Sequence, residues 1–385
     1  MEGLAFGWRT ALLSAVIAQL LVLAAAAARV LANRPANRTL AALLIVLAGV
    51  LTPWAIGFAG FYDRWRWLTF APFSIPLAVG PLVWLYVRAL AGGALPQNAW
   101  GHLAAPLAQF AYLSGCFLLP EPLKDHWAGL SSRLGAILEV AAAAGLGVYG
   151  VASLRALRAY RRLLANHRSD DSRFAVRWLG QAILASMTLL PIWAVYVVWN
   201  AFSPLGYFNL MGLYLTIAVF ALYLGVEGWR HAGLAFPVVT GDVPQPSARR
   251  DWTSQGQAWA ARVRAEGWAA DPELSLASLS ARLGTNTAYL SKALNEGLGL
   301  SFSVFVNGLR AEQVAEALRR RDRRDLLDLA MEAGFASKAS FNRAFRLRFE
   351  VSPSAYRRQV SNPENPPPIT EIEARTASAS ATPAA

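Results

Sequence analysis

Seven apolar stretches, each long enough to cross a bilayer, dominate residues 1–230 of this chain. A membrane-spanning helix needs roughly 20 consecutive, mostly apolar residues. Stretches of about that length run at about Thr10 to Leu31, Leu40 to Phe61, Leu68 to Leu90, His102 to Pro120, Leu134 to Leu154, Val176 to Trp199 and Gly206 to Glu227. Prolines inside them, such as Pro53, Pro76, Pro106 and Pro191, would break a helix in water. They are tolerated where neighbouring helices satisfy the freed backbone groups. The first stretch is too long for the apolar region of a secretory signal and is followed by Arg29. The expected fold is therefore an all-α, seven-transmembrane helical bundle over residues 1–230, followed by a second, all-helical part.

Charge orients the bundle. Lys and Arg collect in cytoplasmic loops, and the loops here alternate: one side receives 14 arginines, the other only Arg9, Arg64, Arg66, Lys124 and Arg133. The richer set includes Arg29, Arg34, Arg38, Arg88, the group from Arg155 to Arg177, Arg230, Arg249 and Arg250. This places the N-terminus outside the membrane and everything after Glu227 in the cytoplasm. The chain's net charge of +12 then divides unevenly, with +10 on residues 1–250 and +4 on 251–360. Most of the basic excess thus reports topology and not an affinity for nucleic acid.

Composition changes after the last apolar stretch. Residues 231–250, with Pro237, Gly241, Pro244 and Pro246, have the make-up of a linker. From 251 to 360 charges are frequent and apolar residues recur at helical spacing. The remainder, 361–385, is rich in Pro, Ala, Ser and Thr and has the composition of a disordered tail. Within the charged part, Leu276, Leu279 and Leu283 make a helix face that stops at Gly284-Thr285. Asn286 then suits an N-cap, and Leu290 and Leu294 form an i, i+4 stripe on a second helix. The plan repeats downstream. Leu326, Leu329 and Ala330 face inward, Gly334-Phe335-Ala336 turns the chain, Ser337 caps, and Phe341 and Phe345 form the next stripe. Between the two, Phe302, Phe305, Val306, Leu309, Val314 and Leu318 mark a long connecting helix ending near Arg320.

These residues resemble the AraC/XylS-type bacterial transcription regulators, over about Asp251 to Arg358. The most specific portion is Leu326 to Arg358, where Leu329-Ala330, Gly334-Phe335, Ser340-Phe341, Phe345-Arg346, Phe349 and Ser352-Pro353-Ser354-Ala355-Tyr356-Arg357 fall at the family's spacing. The variants Leu290-Ser291 to Asn295-Glu296, Phe305-Val306-Asn307 and Ser340-Phe341-Asn342-Arg343 are similar to the subgroup fused behind an N-terminal seven-span membrane domain. Three positions depart from the pattern. Glu350 stands where the family usually has Gly, Ser280 replaces a small Ala and Leu294 replaces a Phe. A left-handed cap at Glu350 would cost about 1 kcal/mol, and the two other changes point to a looser first core.

The resemblance implies two helix-turn-helix units, each presenting a recognition helix to a major groove of double-stranded DNA. In the first, Thr287, Ala288, Ser291, Lys292 and Asn295 are the outward positions. In the second they are Lys338, Ala339, Asn342, Arg343 and Arg346. Asn pairs naturally with adenine and Arg with guanine. Arg346, Arg348, Arg357 and Arg358 are the candidates for phosphate contact.

For the bundle, Glu139 is a candidate sensing residue, since a carboxylate inside a span must be paired, wet or protonated. The expected outer loops are short, the longest being about Pro120 to Arg133, so a small apolar or amphiphilic signal would have to bind in the bundle itself. Trp54, Phe58 and other outer aromatics could line such a site or form an interfacial belt. Lipid surrounds such a domain, and RNA polymerase and a second copy of the chain are further candidate partners. No HExxH, P-loop or GxSxG motif occurs, and the single Cys116 and four scattered histidines suggest neither catalysis, cofactor nor metal. The expectation is a membrane-anchored one-component transcription regulator. The alternative from a different class is a transporter, or a lipid-sensing scaffold, with a helical regulatory tail.

Overall fold

The computed structural model describes residues 4–130, 132–168, 176–202, 207–234, 236 and 251–361. Most of the expected linker and all of the tail from 362 lie outside them. Every regular element among the described residues is helical. The chain divides into two compact units, one of residues 1–160 with 176–240 and the other of 161–175 with 241–385.

The first unit holds α1 (Trp8–Arg29), α2 (Arg34–Phe58), α3 (Val79–Gly92), α4 (Ala99–Phe117), α5 (Glu121–Leu130), most of α6 (Ser132–His167), α7 (Arg177–Phe202) and α8 (Met211–His231). In α1 the buried residues Leu13, Val16, Leu20, Leu23 and Ala27 recur every three or four positions, so one stripe packs along α2. The facing stripe of α2 carries Leu40, Leu44, Leu47 and Leu51. Helix α8 closes against both because it has glycine at the contact. A Cβ at Gly228 would lie 2.6 Å from Leu40 Cδ2, and one at Gly225 would lie 3.0 Å from Leu23 Cδ1. Small residues let apolar helices approach closely enough for extensive van der Waals contact.

Among the described residues, five helical segments are long and apolar enough to cross a membrane: Trp8–Arg29, Arg34–Phe58, Leu134–His167, Arg177–Tyr196 and Met211–His231. The expectation of seven spans differs at two places. The third stretch yields α3 of only 14 residues, because the chain first makes a 3-10 turn at Pro76–Ala78. The fourth yields α4, whose His102 and Gln109 lower its apolarity; Gln109 Oε1 accepts from the Leu77 backbone N–H at 3.3 Å. The stretch expected as the longest outer loop contains α5 instead. There Lys124 is buried, with Nζ donating to the Trp67 carbonyl at 3.0 Å and lying 4.8 Å from the centre of the Phe117 ring.

Two asparagines, the N-cap Asn33 and Asn37 in the first turn of α2, hold the chain where it leaves α8. Asn33 adopts a left-handed φ of 47°, its amide donates to the Leu234 carbonyl and its Oδ1 accepts from Phe236 N–H at 3.3 Å. Asn37, 1% exposed, donates to the carbonyls of Ala32 at 2.6 Å and Ala232 at 3.1 Å. At the last residue of α8, the His231 ring stacks on Trp178 with centroids 5.2 Å apart.

The second unit comprises α9 (Trp252–Ala265), α10 (Leu276–Leu283), α11 (Thr287–Lys292), α12 (Phe302–Arg319), α13 (Leu326–Glu332), α14 (Lys338–Phe349) and α15 (Pro353–Ser361). Its helices start where short polar side chains satisfy the orphan N–H groups of a first turn. Asp251, Ser275, Asn286, Ser301, Asp325 and Ser337 each accept such a bond. Two apolar cores result. One gathers Val263, Leu274, Leu276, Leu279, Leu283, Leu290 and Leu294 around Phe302, Phe305, Val306 and Leu309 of α12. The other gathers Leu329, Ala330, Phe335, Phe341, Phe345, Phe349 and Tyr356 around Ala311, Val314, Ala315 and Leu318 of the same helix. Helix α12 therefore passes from one core to the other between Leu309 and Ala311.

Candidate nucleic-acid interface

Helices α10 and α11 are joined by Gly284, at a left-handed φ of 68°, followed by Thr285 and Asn286. Asn286 Oδ1 accepts from Tyr289 N–H at 2.8 Å, which aims the first turn of α11. The departure at Ser280 is accommodated without loss of a hydrogen bond: the buried hydroxyl donates to the Ala277 carbonyl at 2.9 Å. Leu294 is buried in the core. Beyond Lys292 the helix widens into a π turn over Ala293–Gly297. A Cβ at Gly297 would lie 2.1 Å from the Trp252 carbonyl oxygen, so glycine is what lets α9 lie against this turn.

The residues expected outward on α11 and just beyond it are only partly open, with some engaged inside the unit. Thr287, Ala288, Ser291 and Lys292 are half-buried and Asn295 is exposed. Asn295 donates to Ser291 Oγ at 3.1 Å. The Lys292 ammonium lies 5.8 Å from the centre of the Trp252 ring, which also meets Tyr289 at 5.8 Å. Tyr289 is exposed beside these positions, and the sequence reading did not single it out. A tyrosine three residues past a capping asparagine, off the Leu290 and Leu294 stripe, was the signal available.

The second pair repeats this geometry. Gly334 has φ 93°, Ser337 Oγ accepts from Ser340 N–H at 3.2 Å, and α14 runs twelve residues. Phe341, Phe345 and Phe349 turn inward, with ring centroids 5.6 Å apart for the first two and 4.7 Å for the second two. That packing leaves Lys338, Ala339 and Arg343 exposed and Asn342 half-buried on the opposite side. The helix ends at Glu350, whose φ is 62°, so the left-handed conformation that favours glycine is adopted here by a glutamate.

The four phosphate candidates separate. Arg346 and Arg358 are exposed. Arg348 is turned toward α12: its side chain is 14% exposed and reaches Glu312 through Nε at 2.9 Å and Nη2 at 2.8 Å. Arg357 Nη2 donates to the Arg324 carbonyl at 2.6 Å. The segment Arg319 to Arg324 forms an exposed turn, with Arg321 at φ 61°. Arg324 joins Asp322 at 2.8 Å and Glu332 at 2.6 Å. Hydrogen bonds from Arg324 hold the Asp322 carboxyl below its usual range, and the two carboxylates push the Arg324 guanidinium up.

The sequence reading missed the polar ladder inside α12. Ser303, Asn307 and Arg310 are buried among its apolar residues, and Asn307 Nδ2 donates to Ser303 Oγ at 3.2 Å. Their i, i+4, i+7 spacing on an otherwise apolar face was the available sign. Glu139, on α6, is exposed. Among the described residues no group of His, Cys, Asp and Glu could hold a metal.

Two capped helix pairs are thus present, and the second exposes a basic outer side with Lys338, Arg343 and Arg346. Residues 279–359 match the family described as a helix-turn-helix domain. The chain carries a helix-turn-helix domain of the AraC type. Over 85 residues it is 38% identical to uncharacterized HTH-type transcriptional regulators of Staphylococcus aureus, among them those of strains MSSA476 and N315. That match covers 22% of this chain and 11% of each relative. It is also 32% identical over 88 residues to the transcriptional regulator Rob of Salmonella typhimurium, which is 23% of this chain and 30% of Rob. The chain thus spans less than a third of the length of these curated relatives. No solved structure matches. The likeness lies in the helix-turn-helix domain, in the C-terminal part of the chain.

Proposed function

We propose that this protein is a membrane-anchored one-component transcription regulator, with residues 1–230 as a helical membrane domain and 251–360 as a cytoplasmic domain that binds specific DNA through two helix-turn-helix units. The observation that carries the DNA half is α14, capped by Ser337 and packed by three phenylalanines so that Lys338, Ala339, Asn342 and Arg343 share its outer side. Base edges in a major groove offer the acceptors and donors that Asn342 and Arg343 complement. In the first unit Thr287, Ala288, Ser291 and Lys292 take the same place, with Tyr289 beside them. Arg346 and Arg358, both exposed, suit backbone phosphates.

The membrane half rests on the five long apolar segments and on the arginine asymmetry between alternate loops. In this reading α3 and α4 complete the bundle beside those five, and the N-terminus faces outward. The bundle anchors the domain and takes up an apolar or amphiphilic signal, and RNA polymerase and a second copy of the chain are its protein partners.

A genome-wide map of DNA bound by the tagged full-length protein, combined with membrane fractionation, tests both halves. Discrete enriched sites and retention in membranes after alkaline washing are expected. A map without enriched sites would sink the DNA half, and recovery in the washed supernatant would sink the membrane half.

A further inference from the structure

The point where α12 changes core is bridged by two charged side chains. Arg310, 1% exposed, donates through Nε to the Ala269 carbonyl at 2.7 Å and through Nη2 to the Asp271 carbonyl at 2.7 Å. Both carbonyls lie in the segment that leads into α10. Its Nη1 donates to Asn307 Oδ1 at 3.1 Å, and its Cζ lies 6.0 Å from the centre of the Phe335 ring. Phe335 belongs to the turn between α13 and α14. The neighbouring Gly334 packs so closely that a Cβ there would lie 2.5 Å from the Ala270 carbonyl oxygen and 3.0 Å from Arg310 Nε. The turn of the second helix pair is thus pressed onto the approach to the first, with one guanidinium between them. A planar fork of fixed donors suits this junction, where a lysine would offer a single point charge.

Two residues on, Glu312 makes the second bridge. Its carboxylate takes Arg348 of α14 through two donors, at 2.9 and 2.8 Å, and Arg264 in the last turn of α9 at 3.0 Å. Arg264 adjoins Val263 of the first core, and Arg348 adjoins Phe349 of the second. One carboxylate therefore joins the first pair's flanking helix to the second pair's outer helix. A single helix running through two separate cores would leave them able to twist about it, and these side chains remove that freedom.

We propose that Arg310 and Glu312 are positioning residues that set the separation and phase of α11 and α14, so that the protein selects DNA by the interval between two boxes as well as by their sequences. The inference rests on the DNA-binding reading above and deepens it. Two helices that enter successive major grooves must match a repeat of about 34–36 Å. One inserted base pair moves the second box by about 3.4 Å along the axis, and a rigid pair of helices cannot follow it.

The test uses the full-length protein in detergent and has a DNA-free arm. Spin labels are placed at Ala288→Cys and Ala339→Cys in a Cys116→Ala background, and the distance between them is measured by pulsed electron resonance. A narrow distribution in the parent and a broad one in Glu312→Gln and Arg264→Gln are expected, and equal widths would overturn the proposal. In the second arm, unlabelled proteins meet the site selected by the parent protein and the same site with one base pair inserted between its boxes. The parent should lose about 10-fold or more in affinity, and Glu312→Gln less than about 3-fold, where 10-fold corresponds to one interval of 1.4 kcal/mol. The same penalty in both would refute the role. Because the quantity is a ratio within one variant, a reduced folded fraction cancels and a merely structural role would not change it. If the parent selected no DNA at all, the DNA-binding reading would fail while the distance arm still judged the bridge.

Discussion

The buried amide of Asn37 donates to the Ala232 carbonyl at 3.1 Å, joining residues 195 positions apart in the chain. The bond pins the segment that follows α8 to the first turn of α2, and Asn33 extends the clasp to Leu234 and Phe236. Replacing Asn37 by Ala would strand buried carbonyls, each costing about 1–3 kcal/mol. A matching loss of stability in thermal unfolding and faster amide hydrogen exchange at residues 232–236 are expected. Unchanged exchange there would show that the clasp does not hold this segment.

Glu350 offers a change in the other direction. Its φ of 62° lies where a side chain clashes with its own backbone, and glycine escapes that clash. Glu350→Gly should stabilise the C-terminal unit by about 1 kcal/mol, read as a raised unfolding midpoint. Glu350→Ala should bring no such gain, because the Cβ remains. A gain shared equally by both variants would point away from the backbone as the cause.

The outer residues of α14 should separate into two kinds. Asn342→Ala and Arg343→Ala should each relax base preference at one position, by about 1–3 kcal/mol of discrimination. Arg346→Ala should weaken binding to all sequences alike and reduce the slope of log affinity against log salt by about one. Selection of randomised DNA by each variant, with salt titrations, distinguishes these outcomes. A uniform loss for Arg343→Ala would reassign it to the phosphates.

Asp322 supplies a pH signature. The side-chain and backbone N–H groups of Arg324 hydrogen-bond its carboxylate, and the charges of Arg324 and Arg357 add to them, so its pKa is lowered in the folded chain. A lowered folded value means that its contribution is complete above the unfolded carboxylate pKa of about 4 and is lost as pH falls through the folded value. An NMR titration of the Asp322 carboxyl should have its midpoint below that of an exposed aspartate. In Asp322→Asn, the amide of Arg324 should exchange faster at neutral pH, since the acceptor held at 3.0 Å is weakened.

Much of the second unit was legible because its determinants are local. Asn286 and Ser337 cap helices by bonds to residues three positions away, and Phe341, Phe345 and Phe349 share a face through helical periodicity alone. The exposed turn between Arg319 and Arg324 followed from an arginine run interrupted by Asp322 and followed by Asp325. The departure at Glu350 was visible as a missing glycine, and the backbone there is left-handed with the glutamate in place.

Other features depend on neighbours far along the chain. An arginine on a helix that also bears Arg343 and Arg346 looks like a phosphate ligand until Glu312, 36 positions earlier, is found beside it. The same holds for Arg357, taken up by the Arg324 carbonyl 33 positions before it. The third and fourth apolar stretches fall short of the length or apolarity of the other five for a related reason. Hydropathy sums composition, whereas α3 begins only after a 3-10 turn at Pro76–Ala78, and α5 occupies the stretch expected as an outer loop.

By itself, then, the amino-acid sequence determined the division into an apolar, arginine-sided half and a charged helical half, together with the caps, turns and apolar stripes of both helix pairs. These are set by side-chain chemistry within one or two turns. Only the tertiary structure decided how α12 joins its two cores, which arginines face solvent and which are spent inside, and how Asn33 and Asn37 hold the end of α8. Those outcomes depend on which carbonyl or carboxylate arrives from a distant segment, and such distances appear only once the chain has folded.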